Sequence, residues 1–257
     1  MKTDAVIKLR GLCLGDGLPK ICVPLMPRDM RELRGEISRL KEAEWDFLEF
    51  RADAWEMAEE KEEEETLLKG LSCLRDYTEK PILFTYRTLE EGGERSISDD
   101  RYLALNLAAS EHGADLIDLQ LCRVEGNMRL LSLIRELQAR GTLVLGSSHD
   151  FEKTPPKAEI LRRLLRMEEL GFDITKIAVM PRNRMDVCEL LTASVEMRER
   201  ASRPFITMSM GSLGQISRLT GAFTGSAATF GTVGKSSAPG QLESVHLRAI
   251  LQDLALI

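Results

Sequence analysis

Histidine is scarce in this 257-residue chain, with three residues, and its five cysteines are few and poorly spaced for joint work. Cys13, Cys22, Cys73, Cys122 and Cys188 are odd in number and never in CxxC spacing, which argues against a zinc site and against a disulfide framework. They fit small apolar core residues in a reducing cytoplasm. No apolar run approaches the ~18 residues of a membrane span, and no charged segment followed by an apolar stretch opens the chain, so neither membrane insertion nor export is expected. Excess positive charge is missing too. The formal net charge of -6 gives no reason to expect nucleic acid or a membrane surface as a partner, and an anionic small molecule would need a local basic cluster. Nor is there a low-complexity linker or composition shift, so residues 1–257 read as one domain, a length that α/β barrels reach.

What is present is a sizeable hydrophobic share, 43%, arranged in a repeating pattern. From Val6 to Gly17 apolar and polar residues alternate around Gly11, which predicts a short hairpin placed to cover one end of the main fold. Strand-like runs then follow at 21–25, 46–51, 82–87, 116–121, 143–147, 174–180, 205–209 and 228–233. Helical stretches lie between and after them at 28–43, 57–74, 99–112, 127–140, 157–170, 183–199, 212–220 and 241–256. Strict alternation of eight strands and eight helices predicts a (β/α)8 TIM barrel, because parallel strands need crossovers of this size. The acidic run from Glu59 to Glu65 belongs on a solvated face of the second helix. The Gly/Ser/Pro-rich stretch from Gly225 to Gly240 reads as the loops at the two ends of the last strand.

Strand side chains alternate between the barrel axis and the helix layer. Glu49, Arg51 and Asp53 then share one face, Thr85 and Arg87 another, and Asp118 and Gln120 a third, each opposite apolar neighbours. Ser147 and His149 end the fifth strand, Lys176 lies on the sixth, and Thr207 and Ser209 end the seventh. So many polar groups are costly on an axis unless they serve a site at the C-terminal face. Lys176 can be a surface lysine at a strand start, or a buried amine whose pKa is lowered by desolvation and by Arg51 and Arg87. In the second case it is a carbonyl nucleophile. His112 precedes Gly113 at a helix end and His246 lies within the last helix, so both read as structural, leaving His149 as acid/base. Residues alone reach a Schiff-base lyase or aldolase acting on a carboxylate substrate. A non-catalytic barrel is the rival from another class.

Six segments in order, DFLEFRAD, FTYRTLEEGGE, SSHDFEKTP, KIAVMP, SMGSLGQISRLTG and SSAPGQ, narrow this further. Together the chain resembles the type I 3-dehydroquinate dehydratases over essentially its whole length. That resemblance implies reversible dehydration of 3-dehydroquinate to 3-dehydroshikimate in aromatic amino-acid biosynthesis, with no metal or organic cofactor, by a homodimer. By the same resemblance Lys176 is the Schiff-base lysine, His149 the histidine that moves the C2 proton to the departing C1 hydroxyl, and Glu91 the carboxylate that orients it. Glu49, Phe50 and Arg51 match the segment that contacts ring hydroxyls, with Phe50 in place of tryptophan and turned towards the helices in this register. Arg87 resembles a substrate-binding arginine, Arg218 the partner of the C1 carboxylate, and Ser237 and Gln241 the residues of a closing lid. Gln120, where many relatives carry DxE, and Pro24, where some carry serine, bear on substrate affinity.

Overall fold

Residues Arg10 and Gly11 both adopt positive φ, 44° and 79°, and this two-residue turn joins strands β1 (Ile7–Leu9) and β2 (Leu12–Leu14) as an antiparallel hairpin. Both central residues of a type I′ turn need that left-handed region, which glycine enters freely and arginine does not. The Arg10 guanidinium bonds Asp115 at 2.5 Å, tying the turn to the body of the protein. These features come from a computed structural model that describes residues 6–56, 60–234 and 237–255.

Eight further strands form one parallel sheet: β3 (Lys20–Leu25), β4 (Phe47–Arg51), β5 (Ile82–Thr85), β6 (Leu116–Gln120), β7 (Leu143–Asp150), β8 (Ile174–Val179), β9 (Phe205–Ser209) and β10 (Ala228–Phe230). The order is β10-β3-β4-β5-β6-β7-β8-β9, and the seam is bridged where Ala227 N–H donates to the Phe205 carbonyl at 2.8 Å. The alternating pattern has therefore produced the TIM barrel it predicts, with the hairpin at its N-terminus.

Helices cover the outside: α1 (Met30–Arg39), α2 (Glu60–Tyr77), α3 (Asp99–Glu111), α4 (Leu121–Val124), α5 (Met128–Ala139), α6 (Lys157–Leu170), α7 (Arg184–Arg200), α8 (Gly211–Leu219), α9 (Gly221–Thr224) and α10 (Ser244–Asp253). Their starts follow capping chemistry. Asp29, Ser98, Asn127 and Asn183 each accept a bond from a backbone N–H of the first turn of α1, α3, α5 and α7. Short α4 and α9 are additions that the periodicity does not announce. The expected second-helix start at Met57, the residue Glu59 of the acidic run and the expected final Leu256 lie outside the described residues. Within that run Glu62 and Glu65 are exposed, as a solvated face requires.

Strand alternation sorts the core into two layers. Ile21, Val23, Leu48, Phe50, Ile82, Phe84, Ile117 and Val144 face outward and pack with helix residues such as Leu33, Leu71, Leu105 and Leu133. Facing inward, Cys22, Phe47, Leu83, Leu116, Leu145, Ile174 and Ile206 fill the N-terminal half of the barrel, and Leu12 and Leu14 of the hairpin close it from below. The axis is thus apolar at the bottom, and polarity is gathered at the top.

Three boundaries matter for the site. β5 stops at Thr85, so Arg87 leaves from the loop; β7 runs on to Asp150 and includes His149; and β10 ends at Phe230 rather than at residue 233.

Candidate active site

Above the apolar plug the inward side chains of β4 to β8 change character together. Glu49, Arg51, Thr85, Asp118, Ser147 and Lys176 are all buried, and Arg87, Glu91 and Asp53 join them from the segments just beyond strand ends. The opposite wall, from β8, β9 and β10, is apolar, made by Ala178, Met208, Met210 and Phe230. Between the walls lies a cavity lined also by Phe151, Arg218, Ser237 and Gln241.

Lys176 is the third of six residues in β8, one layer below His149, since Ser147 pairs with Lys176 and His149 with Ala178. Its Nζ lies 3.9 Å from Glu49 Oε1 and 4.3 Å above the centroid of the Phe230 ring. Burial lowers its pKa and Arg87 adds to the effect, while Glu49 and Asp118 pull the other way. A partly apolar pocket therefore holds an amine that gives up its proton more readily than a surface lysine. The bland reading of Lys176 as a surface group fails on its burial.

His149 Nδ1 sits 2.9 Å from Glu91 Oε2, and the same oxygen accepts the His149 backbone N–H at 3.1 Å. A carboxylate only accepts, so Nδ1 carries the hydrogen and Nε2 keeps the lone pair. Burial, then Arg87, Lys176 and Arg51, push the imidazole well below its usual pKa, so it stands neutral. Burial raises the Glu91 carboxyl to about 6 against the pull of Arg87. Phe151 stacks near His149, with ring centroids 6.5 Å apart, and lies on Gly92, where a Cβ would come within 2.4 Å of the Phe151 ring. Gly92 also has φ 77°, so the turn after Glu91 needs glycine on both counts.

Arg87 binds the polar wall together. It donates to Glu91 Oε2 at 3.2 Å, to Ser147 Oγ at 2.9 Å and to Asp118 Oδ2 at 2.7 Å. Ser147 in turn donates to Asp118 Oδ1 at 2.6 Å. Burial opposes the charge on Arg87, but Asp118 and Glu91 outweigh it and raise its pKa.

Arg218 is the opposite case. It is 2% exposed, its Nε has no partner, and its other bonds are long: Met208 Sδ at 3.7 Å and the carbonyls of Phe230 and Pro239 at 3.4 and 3.3 Å. No carboxylate of the described residues lies within ion-pair distance of it, and burial lowers its pKa to about 10. A buried guanidinium on a cavity wall without a counter-ion is a site for an anion. Across the opening Ser237 and Gln241 bond each other, Gln241 Nε2 donating to Ser237 Oγ at 2.8 Å and accepting the Ser237 N–H through Oε1 at 2.9 Å.

The cavity thus unites Lys176, His149, Glu91, Glu49, Arg51, Arg87, Arg218, Ser237 and Gln241, drawn from both halves of the sequence. Three expectations need correction. Phe50 is not a substrate-contacting residue: it is fully buried in the outer layer, stacked on Phe84 at 6.2 Å, because its even register faces the helices. Thr207 and Ser209 also point outward, where Thr207 Oγ1 meets Ser194 Oγ at 2.7 Å and the Ser209 N–H donates to Ser217; Met208 and Met210 take the inward places. Gln120 and Pro24 do not line the cavity; the Gln120 amide clasps Thr88, accepting its N–H at 2.9 Å and donating to Oγ1 at 3.1 Å. The apolar wall was the part sequence reasoning missed. Alternation in Ala228–Phe230 could have placed Phe230, but nothing local marks Met208 or Met210 as wall residues.

Comparison with known proteins gives concordant matches. Residues 21–256 match the family described as type I 3-dehydroquinase. The chain is 46% identical to the 3-dehydroquinate dehydratase of Clostridium novyi over 254 residues, 98% of this chain and 97% of that one. Identity to the same enzyme of Syntrophotalea carbinolica is 47% over 252 residues, 97% and 98% of the two chains. Among solved structures, the type I 3-dehydroquinate dehydratase of Clostridium difficile with covalently modified comenic acid superposes with a TM-score of 0.91 at 41% identity, covering 98% of each chain.

Proposed function

The chain belongs to the type I 3-dehydroquinase family, and from that premise we propose how its own residues divide the work. The reaction is the dehydration of 3-dehydroquinate to 3-dehydroshikimate through a lysine imine, a step of the shikimate pathway.

Neutral Lys176 Nζ adds to the C3 carbonyl carbon, and uptake of one proton from solvent with loss of one water leaves an iminium. Its positive nitrogen draws electrons from C2, and His149 Nε2 takes the C2 proton, giving an enamine. The enamine pair re-forms the iminium, the new C1–C2 double bond forms, and the C1–O bond breaks. His149 hands its proton to the departing hydroxyl, so a second water leaves. Hydrolysis of the conjugated iminium consumes one water, returns the proton taken up at the start, frees the product and restores neutral Lys176. Net, one water is lost.

Glu91 holds Nδ1–H so that the lone pair of Nε2 faces the substrate. Arg218 receives the C1 carboxylate, Glu49, Arg51 and Arg87 bind the ring hydroxyls, and Ser237 and Gln241 exchange their mutual bonds for bonds to substrate when the lid closes. What carries this reading is one observation: a buried lysine, a carboxylate-held neutral histidine and an unpaired buried arginine share one cavity. Borohydride reduction with 3-dehydroquinate, followed by peptide mass mapping, tests it. The adduct is expected on Lys176; no adduct, or one on another lysine, overturns the assignment.

Residues 1–257 act as one catalytic domain, as a homodimer in the cytoplasm. Support comes from the family, from five unpaired cysteines that suit a reducing compartment, and from the absence among the described residues of a helix long and apolar enough to cross a membrane. Sedimentation at two protein concentrations checks the dimer.

A further inference from the structure

Asp53 lies outside the cavity lining, yet it is 0% exposed and carries a full set of donors. Its Oδ1 accepts Arg51 Nε at 2.9 Å and the backbone N–H of Arg87 at 3.2 Å. Its Oδ2 accepts Arg51 NH2 at 2.8 Å and the backbone N–H of Glu94 at 3.2 Å. Four donors fill the acceptor sites of one carboxylate, and they come from two separate parts of the site. Arg51 is a cavity wall residue on β4. Arg87 and Glu94 bracket the loop whose middle residue, Glu91, holds His149.

We propose that Asp53 is a positioning residue that fixes the hydroxyl-binding arginine and the Glu91 loop in one frame, so that substrate and general base stay in register. The proposal rests on the roles assigned above to Arg51, Glu91 and His149. Two neighbouring buried side chains hold the same segment differently. Gln120 clasps the same loop through Thr88, but it touches no cavity residue; Asp118 holds Arg87 only by its guanidinium. Within the loop Gly93 packs closely on the loop's own start: its N–H donates to the Thr88 carbonyl at 2.9 Å, and a Cβ there would come within 1.9 Å of the Arg87 carbonyl oxygen. Asp53 thus holds both ends of a segment that folds back on itself. Burial works against ionisation of Asp53, but the Arg51 fork and the two N–H groups outweigh it and keep its carboxyl below the usual range.

Asp53→Asn keeps the shape and replaces one oxygen by a donor that faces both an Arg51 N–H and a backbone N–H, so each side of the frame loses one bond. A displacement of about 1 Å in a reacting geometry costs roughly 100-fold. Expected in Asp53→Asn are a kcat lowered roughly 10- to 100-fold, a raised KM from the released Arg51, and an acid limb of kcat/KM that moves because Glu91 no longer holds His149 in place. Glu94→Pro removes one of the two backbone N–H groups, at an exposed loop position, and fixes φ there; it is expected to move the acid limb and lower kcat while leaving KM unchanged. A purely structural Asp53 would lower Tm and leave kcat, KM and the pH profile of the folded enzyme as they were, and that result in either variant overturns the proposal. Borohydride trapping runs alongside. Failure of the unmutated enzyme to trap on Lys176 refutes the underlying mechanism, whereas normal trapping with unaltered kinetics in both variants refutes the role of Asp53 alone.

Discussion

Replacing Arg218 by methionine should move activity and stability in opposite directions. The guanidinium is 2% exposed, with an unpartnered Nε and three bonds of 3.3 Å or longer. Hydrogen bonds to a charged group contribute about 1.5–3 kcal/mol each, so losing a two-pronged grip on a carboxylate should cost about 3 kcal/mol, roughly 100-fold in kcat/KM. The C1 carboxylate keeps its charge throughout the reaction, so ground state and transition state lose alike. The loss should therefore appear as a raised KM with kcat little changed. Without substrate the sign reverses. Methionine fills similar space beside Met208 and Phe230 and relieves a buried charge that has no counter-ion. A gain of about 2 kcal/mol is expected, raising Tm by roughly 4–8 °C for a chain of this size. Steady-state kinetics and calorimetry on the same preparation read both effects. An unchanged KM would show that Arg218 does not hold the carboxylate. A lowered Tm would show that its long bonds outweigh the cost of burying the charge.

Further outcomes follow from the same geometry. His149→Ala should stop turnover yet still yield the borohydride adduct on Lys176, since the nucleophile is untouched; near-normal turnover would remove His149 from proton transfer. Because the Glu91 carboxyl is raised to about 6 chiefly by burial, it is ionised above that value and gains its proton below it. kcat/KM should therefore fall as pH drops through about 6, and Glu91→Gln should abolish that limb. A profile unaltered by Glu91→Gln would assign the limb to another group. Leu14→Ala, at a hairpin residue 1% exposed beneath the barrel, should destabilise by about 2–5 kcal/mol without changing KM, as measured by denaturant unfolding and kinetics.

Much of this protein was legible from local rules. Turn residues, helix caps and the two-residue period of strands act over a few positions, so the hairpin, the eight strands and the inward faces of Glu49, Arg51, Thr85, Asp118, Ser147 and Lys176 could be read directly. The ordered segments around Lys176, His149 and Glu91 gave the family, because sequence order preserves chemistry even where spacing in the fold is unknown. What only the tertiary structure decided depends on how strands are staggered around the barrel. In β9 alternation separates Thr207 and Ser209 from Ile206 and Met208 and suggests the polar pair for the axis, but pairing with β8 sets Ile206 beside Lys176 and Met208 beside Ala178, so Thr207 and Ser209 face outward. The difference in layer between Lys176 and His149 likewise comes from pairing register. Arg218 and Asp53 are both buried charges with opposite surroundings, one left without a counter-ion and the other with every acceptor site filled, and partners are set by packing between segments far apart in the chain.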